Sequence, residues 1–199
     1  PVYTDTSKVE IQNEIYTRVG LLFGSVINPE QPGVPAIPQR SINLGVPVEF
    51  GNTLQVLASL YTELPGKIIP NPSMRKDGLL NVTVYEIADN YTSAIPDENI
   101  LAFGEYGLVR DMQTQSVLIN PVRFYPDQNK IRLYNKIVFK LNYSSNQNLT
   151  APLSDDLVKD VVLNFDVARN WSARPERTQK TATNSVLANG RWFRFEAPV

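Results

Sequence analysis

An all-β antiparallel sandwich of about nine strands, closed by one short C-terminal helix, is the fold class this sequence predicts. Three observations lead to it. Short runs rich in Val, Ile, Leu, Tyr and Phe recur at turn spacings of 8 to 12 residues. The 15 prolines and 10 glycines punctuate these runs as stiff loops do. Nowhere do strand-like and helix-like patterns alternate as a parallel sheet requires.

The clearest element is Pro121 to Tyr143, PVRFYPDQNKIRLYNKIVFKLNY. Val122, Phe124 and Tyr125 lead into the polar turn Pro126-Asp127-Gln128-Asn129. Beyond it, Ile137, Phe139, Leu141 and Tyr143 fall on one face, with Lys136, Val138, Lys140 and Asn142 on the other. Two strands alone bury too little apolar surface to offset their ordering entropy, so this hairpin requires partners elsewhere in the chain.

From the start, Val9, Ile11 and Ile15, then Val19 to Phe23, give two short strands. Pro29, Pro32, Pro35 and Pro38 recur every third residue, the period of polyproline II with all rings on one face. That segment suits either a proline-recognising partner or the domain's own sheet. Val34 and Ile37, interleaved as core anchors, favour the second. Ser41 to Leu44 is a short strand. Val46, Val48 and Phe50, then Leu54, Val56, Ala58 and Leu60, alternate around Gly51-Asn52 and predict a local hairpin. Pro70 to Gly78 reads as a polar surface loop, and Leu80, Val82 and Val84 as a strand. Asp89 to Asn99 is irregular. Ile100 to Val109 is a strand whose glycines suggest a bulge or a close approach, and Thr114 to Ile119 is another.

One helix is predicted: Ser154 as cap, Asp155 and Asp156 in the first turn, and Leu157, Val158, Val161, Val162 and Phe165 as one apolar stripe. After it, Arg169 to Lys180 reads as a basic, proline-interrupted linker anchored by Trp171. These patterns place a β module with its linker at residues 1–183 and the start of a following module at 184–199, where Asn189-Gly190 precedes the strand-like Arg191 to Glu196.

The chain has no histidine and no cysteine. That removes a cysteine nucleophile, a Ser-His or Cys-His dyad, disulfides and an ordinary zinc site, so the expected catalytic, cofactor and metal residues are none and the chain is not expected to be an enzyme. A net charge of −1 gives no footprint for nucleic acid. No apolar run is long enough for a membrane span. The adjacent carboxylates Asp97-Glu98 and Asp155-Asp156 diverge on a strand or loop, and surface charge or N-capping accounts for them. Tyr85, Tyr91 and Tyr106 are either a sugar-binding platform or core and edge packing, the second being favoured.

Three stretches, in order, carry a resemblance to a known family: PGVPAIPQRSINLGVP (32–47), NPVRFYPDQNKIRLYNKIVFKLNY (120–143) and VLNFDVARNW (162–171). Together they resemble the N-terminal pro-domain of gingipain-type cysteine peptidases over roughly residues 30 to 175. Phe124 departs from the usual proximity of Arg and Tyr in the second motif. The resemblance implies a non-catalytic β-sandwich that covers the cleft of a caspase-like peptidase domain in the same precursor, holds it latent and assists its folding. It also implies a secreted or cell-surface bacterial setting, associated with the outer membrane and with type IX secretion components. The tail SVLANGRWFRF (185–195) looks like the segment after this domain in PorU-like sortases, where the domain is retained for docking. Both settings stay open, beside a carbohydrate-binding sandwich. If the peptidase prefers basic residues, Arg169, Arg174, Arg177 and Lys180 are the candidates to enter its specificity pocket or mark a processing site.

Overall fold

The computed structural model describes residues 4–47, 49–95, 99–110, 112–144 and 156–171. Its strands are β1 (Thr4–Ile11), β2 (Glu14–Leu21), β3 (Ser25–Val26), β4 (Pro38–Gly45), β5 (Thr53–Pro65), β6 (Lys67–Ile68), β7 (Ser73–Asp77), β8 (Leu80–Val84), β9 (Leu101–Val109), β10 (Met112–Ile119), β11 (Val122–Tyr125) and β12 (Lys130–Asn142). The predicted all-β class is what forms, and the helix is short: α1 (Phe165–Ala168), flanked by 3₁₀ turns at Asp156–Val158 and Arg169–Trp171.

Four sheets result, ordered β1-β2-β6, β3-β4-β10-β9, β11-β12-β5 and β7-β8. The hairpin of β11 and β12 turns through Pro126–Gln128, with Asn129 in the left-handed region at φ 45°. Its missing partner is β5, which runs antiparallel to β12 along nearly its whole length, from Lys130↔Pro65 to Asn142↔Thr53. Two irregularities, at Tyr134/Lys136 and Val138/Phe139, interrupt that ladder.

The sandwich core lies where the β4-β10-β9 sheet faces β5 and β12. Leu44, Val117 and Ile119 come from one side, and Leu54, Ile137, Phe139 and Leu141 from the other. A second cluster joins β1, β2 and β6 to the first half of the hairpin through Tyr16, Val19, Ile68, Phe124 and Ile131. Tyr16 is edge-on to Tyr91, and Tyr91 to Phe124.

The proline-rich segment belongs to this second cluster, as its interleaved Val34 and Ile37 suggested; both are buried. It is not one polyproline ridge, however. Pro29 and Pro32 are exposed within turns, whereas Pro35 and Pro38 are buried. The segment is tied by backbone bonds from Ala36 N–H to Ile69 O and from Asn71 N–H to Val34 O. Buried Asn71 adds side-chain bonds to the carbonyls of Asn28 and Gln31.

Three expectations are corrected. Leu54 to Leu60 is a strand, but it pairs with β12 and not with Val46 to Phe50: Val46 N–H instead extends the β4 ladder to Gln113 O. Val48 lies outside the described residues. The expected loop at 70–78 contains β7, which pairs with β8 around Gly78 at φ 60°. The expected helix beginning at Ser154 is broken. Ser154 and Asp155 lie outside the described residues, Val162 bridges Asn43 in parallel, and helical geometry resumes only at Phe165. Val158, Val162, Phe165 and Ala168 are nonetheless buried, with Met112 and Trp171, while Leu157 and Val161 of the expected apolar stripe are exposed. Helical spacing was thus produced by a 3₁₀ turn, a bridge and a short helix in succession.

Candidate inhibitory surface

The C-terminal segment from Asp156 to Trp171 is a cap laid on the outer face of the β4-β10-β9 sheet. Along β10, residues 113, 115, 117 and 119 share one face and 112, 114, 116 and 118 the other. Val117 and Ile119 are in the sandwich core, so Met112 points outward, into the cap's apolar cluster. Asn164 clips the cap to β4. Its side chain accepts from Gly45 N–H at 2.7 Å and donates to Gly45 O at 2.9 Å and to the Tyr143 hydroxyl at 3.0 Å. Trp171 ends the cap edge-on to Tyr143, with ring centroids 4.5 Å apart. It is the anchor that the sequence assigned to the linker.

Of the candidate basic residues, the structure describes Arg169 alone. It opens the last 3₁₀ turn, and its guanidinium lies 5.9 Å from the centre of the Phe165 ring. Its backbone is closed into a helical turn rather than extended as a bound substrate is. Arg174, Arg177 and Lys180, and the expected module at 184–199, lie outside the described residues.

A basic residue that the sequence did not single out stands at the tip of the β9–β10 hairpin. Met112 pairs directly with Val109, so Arg110 stands in the tight connection between the two strands. Arg110 is exposed and held in the left-handed region at φ 56°. Two flanking strands fix the backbone of such a turn, so that binding has only the side chain's own freedom left to remove. Arg-Asp is not a hairpin signature, and only the two flanking strand patterns pointed to this turn.

The tyrosine platform does not form. Tyr91 is buried and its hydroxyl donates to the Ile68 carbonyl, and Tyr85 accepts from Arg18 at 3.0 Å. Asp97 and Glu98 lie outside the described residues. Among the described residues no group of three or more acidic side chains is placed to hold a metal, and no helix is long and apolar enough to cross a membrane.

The family model described as Propeptide_C25 matches residues 1–169. No curated protein matches the chain significantly. Among solved structures, the chain is similar to the complex of Porphyromonas gingivalis RgpB pro- and mature domains. That likeness has a TM-score of 0.64 at 19% identity and covers 82% of this chain and 87% of that one. It is also similar to a structure giving insight into the zymogenic latency of gingipain K from Porphyromonas gingivalis. There the TM-score is 0.54 at 18% identity, over 72% of this chain and 82% of that one. At these identities the likeness is one of fold.

Proposed function

The chain belongs to the Propeptide_C25 family, the non-catalytic propeptides of gingipain-type peptidase precursors, and on that premise we propose that it holds the peptidase domain of its own precursor latent. It does so by covering the active-site cleft, and it assists that domain's folding. The observation that carries this reading is the extent of the family match: residues 1–169 take in both core clusters and nearly all of the cap. With no cysteine and no histidine, the chain supplies no thiolate or imidazole of its own.

The proposed mechanism is substrate mimicry by a basic side chain. Arg174, Arg177 and Lys180 follow the Trp171 anchor in the sequence, and in this proposal one of them enters the specificity pocket while a neighbouring bond is the processing site. Arg169 is the poorer candidate because it is packed on Phe165 in a closed turn. Arg110 is the alternative, since a rigid hairpin tip inhibits without being cut easily. The module boundary near residue 183, a secreted setting and export with type IX components belong to the same proposal. In a PorU-like sortase the same domain would be retained and would act in docking.

The test is titration of the peptidase domain of the same precursor with the 199-residue chain. Saturable inhibition supports latency; a peptidase fully active beside a bound chain supports the docking role. Intact-mass analysis of the mature protein separates a removed prosegment from a retained domain.

A further inference from the structure

Three rows of mostly small side chains cross the outer face of the β4-β10-β9 sheet, the first of them starting under the cap at Gly45. In the first, Gly45 and Gly107 flank Thr114. In the second, Asn43 flanks Ser116, with the irregular stretch of β9 at Gly104 on the other side; in the third, Ser41 and Ala102 flank Leu118. Apart from Gly45 and Ala102, these residues line an open trough of about 480 Å³, together with residues of β9 that include Glu105 and Leu108.

The two glycines of the first row differ in what they meet. A Cβ on Gly45 would lie 2.2 Å from the Ala168 Cβ, so its missing side chain is what lets the cap pack down. A Cβ on Gly107 would meet nothing within 4 Å, and neither glycine has a positive φ. The fold of the described residues therefore has no need of glycine at 107. Glycine in the interior of a strand weakens it, and it often marks a place where another backbone comes close.

We infer that the trough over Gly107 seats an extended segment of the peptidase domain, packing against this glycine as Ala168 packs against Gly45. This rests on the latency reading above and names the surface that serves it. Gly107 lies three residues before Arg110, about 10 Å along the strand, so a partner engaged by the hairpin tip lies over the trough. Glu105 is exposed and is the charged side chain of the lining, which assigns a basic residue to the segment where it crosses β9.

The test compares Gly107→Trp and Ser41→Trp with the wild-type chain, by thermal unfolding and by inhibition of the peptidase domain of the same precursor. Both variants are expected to unfold at or above the wild-type midpoint, while inhibition weakens about tenfold or more. A wild-type chain that inhibits, beside variants that inhibit equally, overturns the trough and leaves latency standing. Variants that unfold early show the space to be filled from within the chain, and this also overturns it. A wild-type chain that neither binds nor inhibits overturns the latency reading itself, and the trough with it.

Discussion

Asn164 and Gly45, 119 residues apart, are joined by both edges of one amide: Gly45 N–H to Oδ1 at 2.7 Å and Nδ2 to Gly45 O at 2.9 Å. The side chain imitates a neighbouring strand along the edge of β4 that faces away from β10, the edge where Val162 also bridges Asn43. Replacing it with Ala leaves a buried backbone N–H and C=O without partners and is expected to cost about 2–3 kcal/mol in urea unfolding. Asn164→Asp keeps the acceptor but not the donor, so it should destabilise as well. Trp171 emission should shift to the red in both if the cap loosens.

Gly45→Ala should be poorly tolerated, because its Cβ falls 2.2 Å from that of Ala168. A loss of about 2–3 kcal/mol is expected as the cap is pushed from the sheet. Gly107→Ala, in the same row, should be neutral or stabilising by up to about 1 kcal/mol. Equal effects at the two positions in chemical denaturation would contradict the packing described.

This contrast marks how far the sequence could be read. The β11–β12 hairpin was legible because its apolar residues keep a period of two through two irregularities, whereas the expected stripe of Leu157, Val158, Val161, Val162 and Phe165 was right in part: Val158, Val162 and Phe165 are buried, and Leu157 and Val161 are exposed. The partner of Leu54 to Leu60 was not legible: alternation says that a strand exists, not that its mate lies some eighty residues on. Nor was the cap's broken backbone, since the same buried spacing arises without a continuous helix. Gly45 and Gly107 look alike in sequence, and only the approach of Ala168 distinguishes them. Arg110 was passed over because its turn is defined by the strands around it rather than by its own residue type.

Acid should destabilise the fold through Glu14 and Glu63. A hydrogen bond from Lys67, then one from Tyr16, holds Glu14 below the usual carboxylate range, and Arg132 does the same for Glu63. Their folded pKa values are depressed, so this stability is present above the unfolded value and is lost as pH falls through the folded one. Glu14→Gln and Glu63→Gln should each flatten the fall in melting temperature below about pH 4.5. Acid unfolding unchanged in both variants would contradict this assignment.

Alkali should act through the tyrosines of the β2–β6 core. Burial, with a hydrogen bond to Glu14, raises the Tyr16 phenol to about 12, and burial raises Tyr91 further. A raised folded pKa keeps its stability below the unfolded value and loses it as pH rises through the folded one, here from about pH 10 upward. Tyr ionisation followed by ultraviolet absorbance should show two phenols titrating only as the fold is lost.

Latency by a basic side chain is tested most directly by the inhibition constant of the 199-residue chain against the peptidase domain of its own precursor. Two variants should be compared with wild type, one with Arg110 changed to Ala and one with Arg174, Arg177 and Lys180 changed together. Inhibition by wild type that falls by about a hundredfold in one variant, with unfolding midpoints unchanged, is the result predicted. A wild-type chain that does not inhibit, or inhibition unchanged in both variants, would contradict it.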